Sequence, residues 1–456
     1  MKNFRYSYLA AMQVLAFLLS FGAFFGILGF EFEILHYAGM PLAITGIAFL
    51  VIYILMCRVY GSMQISVKKS KPILYAYLVN LFVTDLVTHL FLCILNSTIH
   101  NHGQFIYQGA GLLLIVYLVQ MLCMAVLAYG GNGLYFRMTP PQRCLVVKRP
   151  QDNADPMIRK VSRFKRQYEI IGVCDRTDPD LFNAIDKADA VFMFNLAVTE
   201  RSTLIEYCYQ KSKEVYHSVE ISDIVATGSE RTIFDDMSII HYRVKGLTPE
   251  QRFLKRLMDI LVSAMGLLLT SPILLITAIA VKLEDRGPVF YKQPRVTLDG
   301  DIFHVLKFRS MRVEDGNIHR SATKNDDRIT KVGRTIRKFR IDELPQLINI
   351  LRGDMSLVGP RPEMVENVRK YTRDLPQFAY RHRVKAGLTG MAQIYGKYNT
   401  SPVDKLVLDL FYIEEYSLML DIKLILRTVL VLLTPEESTE EFEPAETDVS
   451  REEQTL

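Results

Sequence analysis

Four long apolar runs in the first third of the chain, near 8–30, 41–57, 73–95 and 105–129, constrain its fold more than any other feature. Each is about the length a helix needs to cross a bilayer core, roughly 20 residues. Backbone in lipid must satisfy its own hydrogen bonds, so such runs become helices. Four buried core helices are the soluble alternative, but runs this long and this closely spaced argue for spans. The sequence therefore predicts a four-helix transmembrane region over 1–135.

The connections set an orientation. Lys2 and Arg5 precede the first run, while 31–40 after it carries neither Lys nor Arg. Arg58, Lys68, Lys69 and Lys71 follow the second run, the connection near 97–104 has no cation, and Arg137, Arg143 and Lys148 follow the fourth. Positive residues stay inside, which puts the N-terminus and everything after the fourth span in the cytoplasm. The first run lacks a cleavage site and reads as retained rather than as a signal peptide. The six cysteines, Cys57, Cys93, Cys123, Cys144, Cys174 and Cys208, show no CxxC and no ligand spacing with His. They read as reduced apolar residues, not as a disulfide framework or a zinc site.

Over 136–245 the pattern changes to short strands between helical stretches. Cys144-Leu145-Val146-Val147, Glu169-Ile170-Ile171-Gly172-Val173 and Ala190-Val191-Phe192-Met193-Phe194 read as buried strands, and 203–211 as a helix. This predicts a small Rossmann-like parallel α/β domain. A dinucleotide site would need GxGxxG after the first strand. Lys148-Arg149-Pro150-Gln151-Asp152 stands there instead, so the domain reads as regulatory or structural.

Net charge is +5, unevenly spread. From Glu436 onward nine acids face a single Arg, so 435–456 reads as an acidic disordered tail and the rest is strongly basic. A basic cytoplasmic body suits anionic lipid head groups or phosphorylated substrates. Nucleic acid is the other partner such charge permits, but the base-stacking motifs are missing, so none is expected.

A fifth apolar run, 260–281, is flanked by Lys255 and Arg256 before it and by Lys282, Arg286, Lys292 and Arg295 after it. Crossing would carry the basic C-terminal region outside, against the positive-inside bias. Ser271 and Pro272 stand at its midpoint, where Pro removes an N–H and kinks a helix, and Ser can meet the freed carbonyl. The expectation is a re-entrant membrane hairpin over 255–283; a plain kinked span is the alternative.

The run Arg340-Ile341-Asp342-Glu343-Leu344-Pro345-Gln346-Leu347 sets two carboxylates among Arg328, Lys331, Arg334, Arg337, Lys338 and Arg340. Such a surround is expected to lower a carboxylate's pKa and to bind phosphates. An ionised Asp beside a bound phosphate can become a covalent phosphoryl acceptor. Taken alone, the stretch also fits a solvated helix start. Gln293-Pro294-Arg295 and Leu306-Lys307-Phe308-Arg309-Ser310-Met311 add cations with apolar neighbours. Val358-Gly359-Pro360-Arg361-Pro362 reads as a rigid turn presenting one Arg to a phosphate, with Gly359 there for unusual dihedrals. The glycine-bearing loop 387–393 is similar. Residues 421–433 alternate Lys423 and Arg427 with aliphatics, which fits a membrane-surface helix or a core helix.

These residues resemble the bacterial sugar transferase family, the monotopic polyprenyl-phosphate phosphoglycosyl transferases. The likeness runs from about 251 to 433, through Lys255-Arg256 and Asp259, Ser271-Pro272, Lys307 to Met311, Asp342 to Leu347, Gly353 to Glu363, and 387–393. The parts upstream look like the long form, in which four helices and a Rossmann-like domain precede the catalytic part. The whole is thus a membrane α/β protein with a mainly helical catalytic domain over 246–434. The resemblance implies transfer of a hexose-1-phosphate from a UDP-sugar to undecaprenyl phosphate, with release of UMP and a need for Mg2+. By motif, Asp342 would be the nucleophile and Glu343 its metal-positioning or proton-handling partner, the two together forming the metal site. Arg337 and Arg361 would bind phosphates; Lys255, Arg256, Lys307 and Arg309 would help hold the donor or the lipid phosphate. Ser271 and Pro272 would set the hairpin.

The same resemblance implies a multi-pass protein of the bacterial inner membrane with a cytoplasmic catalytic domain. It would be homodimeric and start exopolysaccharide, capsule or O-antigen-type glycans for downstream glycosyltransferases. Thr297, Ala386, Met391 and Phe339-Arg340-Ile341 depart from the family's usual residues, and nothing in the pattern names the sugar. A hydrolase using water at the same intermediate, and a catalytically silent membrane scaffold or sensor, are the competing readings.

Overall fold

A computed structural model describes residues 2–35, 39–62, 69–99, 107–242, 246–312, 328–396 and 400–433. Lys68 and the expected acidic tail lie outside the described residues. Two compact units result, Met1–Ser218 and Val219–Leu456.

In the first unit the apolar runs fold as helices α1 (Lys2–Leu28), α2 (Met40–Tyr60), α3 (Ser70–Ile99) and α4 (Ala110–Val126). A π-turn, Leu127–Gly131, leads from α4 into α5 (Asn132–Met138). All four runs are long and apolar enough to cross a membrane. Phe24, Phe49, Tyr53, Leu81 and Met124 fill the interior of this bundle, while Leu118 and Leu122 point outward. One face of α3 is polar and buried: Asn80, Thr84, Asp85, Thr88 and His89 repeat at helical spacing. Gln120 Nε2 donates to Ser20 O at 2.9 Å and to Asp85 Oδ1 at 3.2 Å, joining α4 to α1 and α3. Polar contacts inside and aliphatic residues outside are what helices packed in lipid require.

The α/β part alternates β1 (Gln142–Lys148), α6 (Asp155–Ser162), β2 (Tyr168–Asp175), α7 (Leu181–Lys187), β3 (Ala190–Met193), α8 (Val198–Gln210) and β4 (Glu214–His217). The strands form one parallel sheet in the order β2-β1-β3-β4. Central β1 is buried from Cys144 to Val147, as its unbroken apolar run requires.

The second unit opens with α9 (Ile221–Thr227) and a hairpin of β5 (Glu230–Phe234) and β6 (Met237–His241). The sequence assigned these residues to the α/β domain, ending at 245. The structural division comes earlier, after Ser218, because Ile224 is buried in the core with Phe303, Leu357, Phe378 and Leu410. Local pattern cannot reveal which core a short helix joins.

Next comes α10 (Pro249–Asp285), opened by a reciprocal cap in which Thr248 Oγ1 accepts from Gln251 N and Gln251 Oε1 accepts from Thr248 N. The helix continues on both sides of Pro272. Ser271 Oγ donates to Leu268 O at 2.8 Å, the carbonyl that the missing N–H of Pro272 leaves unmet. Before Pro272, Arg256 donates to Ile350 O and Leu351 O, both at 2.6 Å, and Asp259 accepts from Ser356 Oγ and Leu357 N. After it, Glu284 Oε1 accepts from Lys331 N at 2.8 Å. Between these anchors Leu268, Leu269, Leu275 and Ile276 are exposed.

The remaining elements are β7 (Phe290–Val296) paired antiparallel with β8 (Ile302–Phe308), then α11 (Lys331–Lys338), the tight turn Ile341–Glu343 and α12 (Gln346–Arg352). After them come β9 (Ser356–Val358), α13 (Val365–Asp374), the 3-10 segment Pro376–Arg383 and β10 (Gly387–Thr389), which runs parallel to β9. Helices α14 (Met391–Tyr395), α15 (Pro402–Glu414) and α16 (Leu418–Leu433) complete the unit. Thus α10 holds α12 with one half and α11 with the other, on either side of the turn that carries the carboxylates.

Candidate active site

Asp342 and Glu343 lie on the turn Ile341–Glu343, which follows a backbone outlier. Arg340 has φ +54, a left-handed conformation that costs a side-chain-bearing residue about 1–2 kcal/mol. Hydrogen bonds from Arg340 N to Arg337 O and from Glu343 N to Arg340 O hold it there. Strain kept in place by its surroundings is common at functional turns.

Glu343 is the hub. Its Oε1 accepts from Lys307 Nζ on β8 at 2.9 Å and from Arg361 Nη2 at 3.2 Å. Burial pushes the Glu343 carboxyl up, but Arg361, Lys307 and Arg340 outweigh it, so it sits well below the usual carboxylate range. In turn Glu343 raises the Arg361 guanidinium. Asp342 behaves in the opposite way. Among the described residues no cation comes within ion-pair distance of it. Burial and the neighbouring Glu343 charge push its pKa up to about 6, against the pull of Lys307 and Arg337. The sequence predicted a depressed value from the cationic surround. The structure reverses that, because the nearest cations are spent on Glu343 and desolvation dominates at Asp342.

Arg361 comes from the Gly359-Pro360-Arg361-Pro362 turn. Gly359 has no left-handed dihedral; its role is close approach. A Cβ at Gly359 would collide with Lys385 O, one at Gly387 with Gly359 N, and one at Gly390 with Gly359 O. Gly359 N donates to Thr389 O and Gly387 N to Pro360 O, both at 2.9 Å. The two glycine-bearing loops therefore interlock backbone to backbone and fix where Arg361 leaves the chain.

A cleft opens between these groups, lined by Arg295, Lys307, Glu343, Gln346, Arg361 and Leu388 among others. Lys307, Glu343 and Arg361 are thus brought together, with Asp342 adjacent on the turn and Arg337 close enough to lower its pKa. Three expected phosphate ligands are not brought there. Lys255 is buried and donates to Asp421 Oδ2 at 2.7 Å and to Tyr412 OH at 3.0 Å. Arg256 closes the C-terminal end of α12 through the two carbonyls named above. Arg309 is buried, and its Nε donates to Pro288 O at 2.7 Å. A cation near an apolar run looks alike in sequence whether it ends in a core or in a cleft.

Two cleft residues, Arg295 and Gln346, were not named among the expected site residues, although Arg295 was noted as a cation. Arg295 donates to Pro362 O and Gln293 Oε1, leaves its Nε unmet, and is lowered by burial and by Arg361. Its alternation with Gln293 along β7 is the only sequence signal that it faces the same side. Gln346 had none. Arg381 also went unnoticed; it is buried behind Arg361.

Residues 250–435 match the model of the family described as bacterial sugar transferase. The chain is 45% identical over 186 residues to the UDP-glucose:undecaprenyl-phosphate glucose-1-phosphate transferase of Caulobacter vibrioides, covering 40% of this chain and 70% of that one. It is 40% identical over 230 residues to the UDP-N-acetylgalactosamine-undecaprenyl-phosphate N-acetylgalactosaminephosphotransferase of Aeromonas hydrophila, covering 48% of this chain and 52% of that one. The galactosyl transferase CpsE of Streptococcus agalactiae is 40% identical over 213 residues, 44% of this chain and 46% of the relative. The match thus spans about half the length of the last two relatives.

Proposed function

The chain belongs to the bacterial sugar transferase family, and on that premise we propose that it moves a hexose-1-phosphate from a UDP-sugar to undecaprenyl phosphate, releasing UMP. The observation that carries the reading is the cleft in which Glu343 joins Lys307 and Arg361 while Asp342 beside it has no cationic partner. A carboxylate free of ion pairs keeps its lone pairs for attack, and the neighbouring cations suit a diphosphate.

In this mechanism an oxygen of Asp342 attacks the sugar-linked phosphorus. A P–O bond forms to Asp342, and the P–O bond to UMP breaks, its electron pair leaving with UMP. An oxygen of undecaprenyl phosphate then attacks the same phosphorus, and the bond from phosphorus to Asp342 breaks to return the carboxylate. Lys307, Arg361 and Arg337 counter the phosphate charge throughout. Glu343 holds Lys307 and Arg361 in place. Mg2+ takes one or two carboxylates and completes its shell with phosphate and water oxygens. Asp342 and the Oε2 of Glu343 fit that need, and no group of three or more His, Cys, Asp or Glu among the described residues forms a protein-only cage. Bound there, the ion would neutralise phosphate charge.

Helix α10 is read as re-entrant. Its two halves are anchored to α12 and α11, its exposed Leu268, Leu269, Leu275 and Ile276 lie between, and a straight helix of 37 residues would run about 55 Å, well beyond a bilayer core. The Lys and Arg distribution supports a cytoplasmic catalytic part, and membership of the family supports the bacterial inner membrane as its location. There a soluble donor and a lipid acceptor meet at one point. The product would be the first lipid-linked sugar of an exopolysaccharide, capsule or O-antigen-type glycan, passed to downstream glycosyltransferases by a homodimer.

The test is a panel of UDP-sugars with the purified protein, with and without undecaprenyl phosphate. Repeated UMP release that depends on the lipid is expected, with no more than about one equivalent per protein in its absence, from formation of the Asp342 intermediate. Multiple turnovers without lipid would make the protein a hydrolase, and no release with any donor would make it a silent scaffold; either result sinks the proposal.

A further inference from the structure

Gln346 begins α12, three residues after Glu343, and is 3% exposed. Its side-chain amide makes no hydrogen bond among the described residues, and it lines the cleft. Asn349, one turn along the same helix, shows what a structural amide looks like there. Asn349 Oδ1 accepts from Leu306 N, and its Nδ2 donates to His304 O and Asp354 Oδ2, all at 2.9 Å. An amide carries two donor hydrogens and an acceptor oxygen, and those of Gln346 are not among the sealed, unpartnered polar atoms of the interior but open to the cleft. Gln346 therefore lacks a protein reason for being polar. The cleft is the one place its amide can find a partner.

Resting on the function proposed above, we propose that Gln346 is a specificity-determining residue that reads an uncharged hydrogen-bonding group of the nucleotide sugar. The cleft's cations, Arg295, Lys307 and Arg361, account for phosphates. Gln346 carries no charge, lines the cleft together with anionic Glu343 and apolar Leu388, and can donate and accept at once. Such a side chain matches hexose hydroxyls or the imide edge of uracil, which offer donors and acceptors together. A site built to hydrogen-bond a substrate group discriminates strongly against an analogue lacking it.

The experiment uses the full chain in lipid nanodiscs, with undecaprenyl phosphate and a UDP-sugar that the wild type turns over. Gln346→Met keeps the volume and removes the hydrogen bonds; Gln346→Asn keeps an amide but withdraws it by one methylene. Both should raise KM for the donor about tenfold or more, leave KM for the lipid unchanged, and melt within a few degrees of wild type. Deoxy analogues of the UDP-sugar and product inhibition by UMP then identify the group. A hexose contact makes one deoxy position costly for the wild type but not for Gln346→Met, with UMP inhibition unmoved. A uracil contact weakens UMP inhibition by the same factor as the donor KM. Folded variants whose donor KM stays within twofold of wild type would overturn the inference, as would an equal loss toward donor and lipid. A wild type that releases no UMP with any donor would instead overturn the proposed function.

Discussion

Arg381 Nη2 donates to the backbone carbonyl of Arg361 at 3.0 Å, so a buried arginine fixes the main chain that carries another into the cleft. Arg381 in turn pairs with buried Asp409 at 2.7 Å and lies over the ring of Phe378. The geometry at Glu343 thus rests on an ion pair that does not line the cleft.

Removing one half of that pair exposes the dependence. Arg381→Met leaves Asp409 buried without its cation and should destabilise the protein by about 3–5 kcal/mol at neutral pH. The double variant Arg381→Met with Asp409→Leu should recover most of that stability in thermal melts. Its turnover should remain low, because Arg361 O still lacks its donor. Full activity in the double variant would show that Arg361 needs no such support.

Asp342→Asn should abolish transfer while membrane insertion is unchanged. It should also stabilise the protein in a pH-dependent way. The folded pKa of Asp342 is raised to about 6 from the ordinary carboxyl value of 3.8, so the folded state favours the protonated form. Below about 4 both states are protonated and the variant gains nothing; the gain grows between about 4 and 6 and levels off above, at roughly 2 kcal/mol. Melting curves across that range check the sign, and wild-type-like turnover by purified Asp342→Asn would refute the nucleophile assignment.

The acid limb of the donor kcat/KM profile should fall near pH 6, where Asp342 gains its charge. Glu343→Gln removes a like charge and should move that limb to lower pH. Lys307→Met withdraws a cation and should move it higher. Limbs that shift together, or not at all, would detach the profile from Asp342.

Gly387→Ala forces a Cβ against Gly359 N, where two backbones already touch. A loss of about 1–3 kcal/mol in stability is expected, with a larger proportional loss in kcat/KM through Arg361. Chemical denaturation and donor kinetics on one preparation separate the two effects.

Pro272→Ala restores the N–H that Leu268 O lacks and should straighten α10 toward a full span. Gly300→Cys in that background, probed with a membrane-impermeant thiol reagent, should become accessible from outside. Labelling from the cytoplasmic side alone, as expected of the protein with Pro272, would mean that the proline does not set the proposed re-entrant course.

The sequence by itself determined the four N-terminal helices long and apolar enough to cross a membrane, because unbroken apolar length is a local property. It also indicated three of the four strands of the parallel sheet, most clearly the buried runs of β1 and β3, and the motif context of Asp342 and Glu343; β4 (Glu214–His217), short and polar at both ends, was not read from it. Which cations serve the cleft was decided only by the tertiary structure. Lys255 and Lys307 have similar neighbours in the chain, yet Lys255 meets Asp421 in the core, 166 residues away, while Lys307 meets Glu343. Burial of Asp342, the interlocked glycines and the unpartnered amide of Gln346 belong to the same class. Desolvation, close approach and a missing partner depend on residues distant in the chain, so no local pattern can state them.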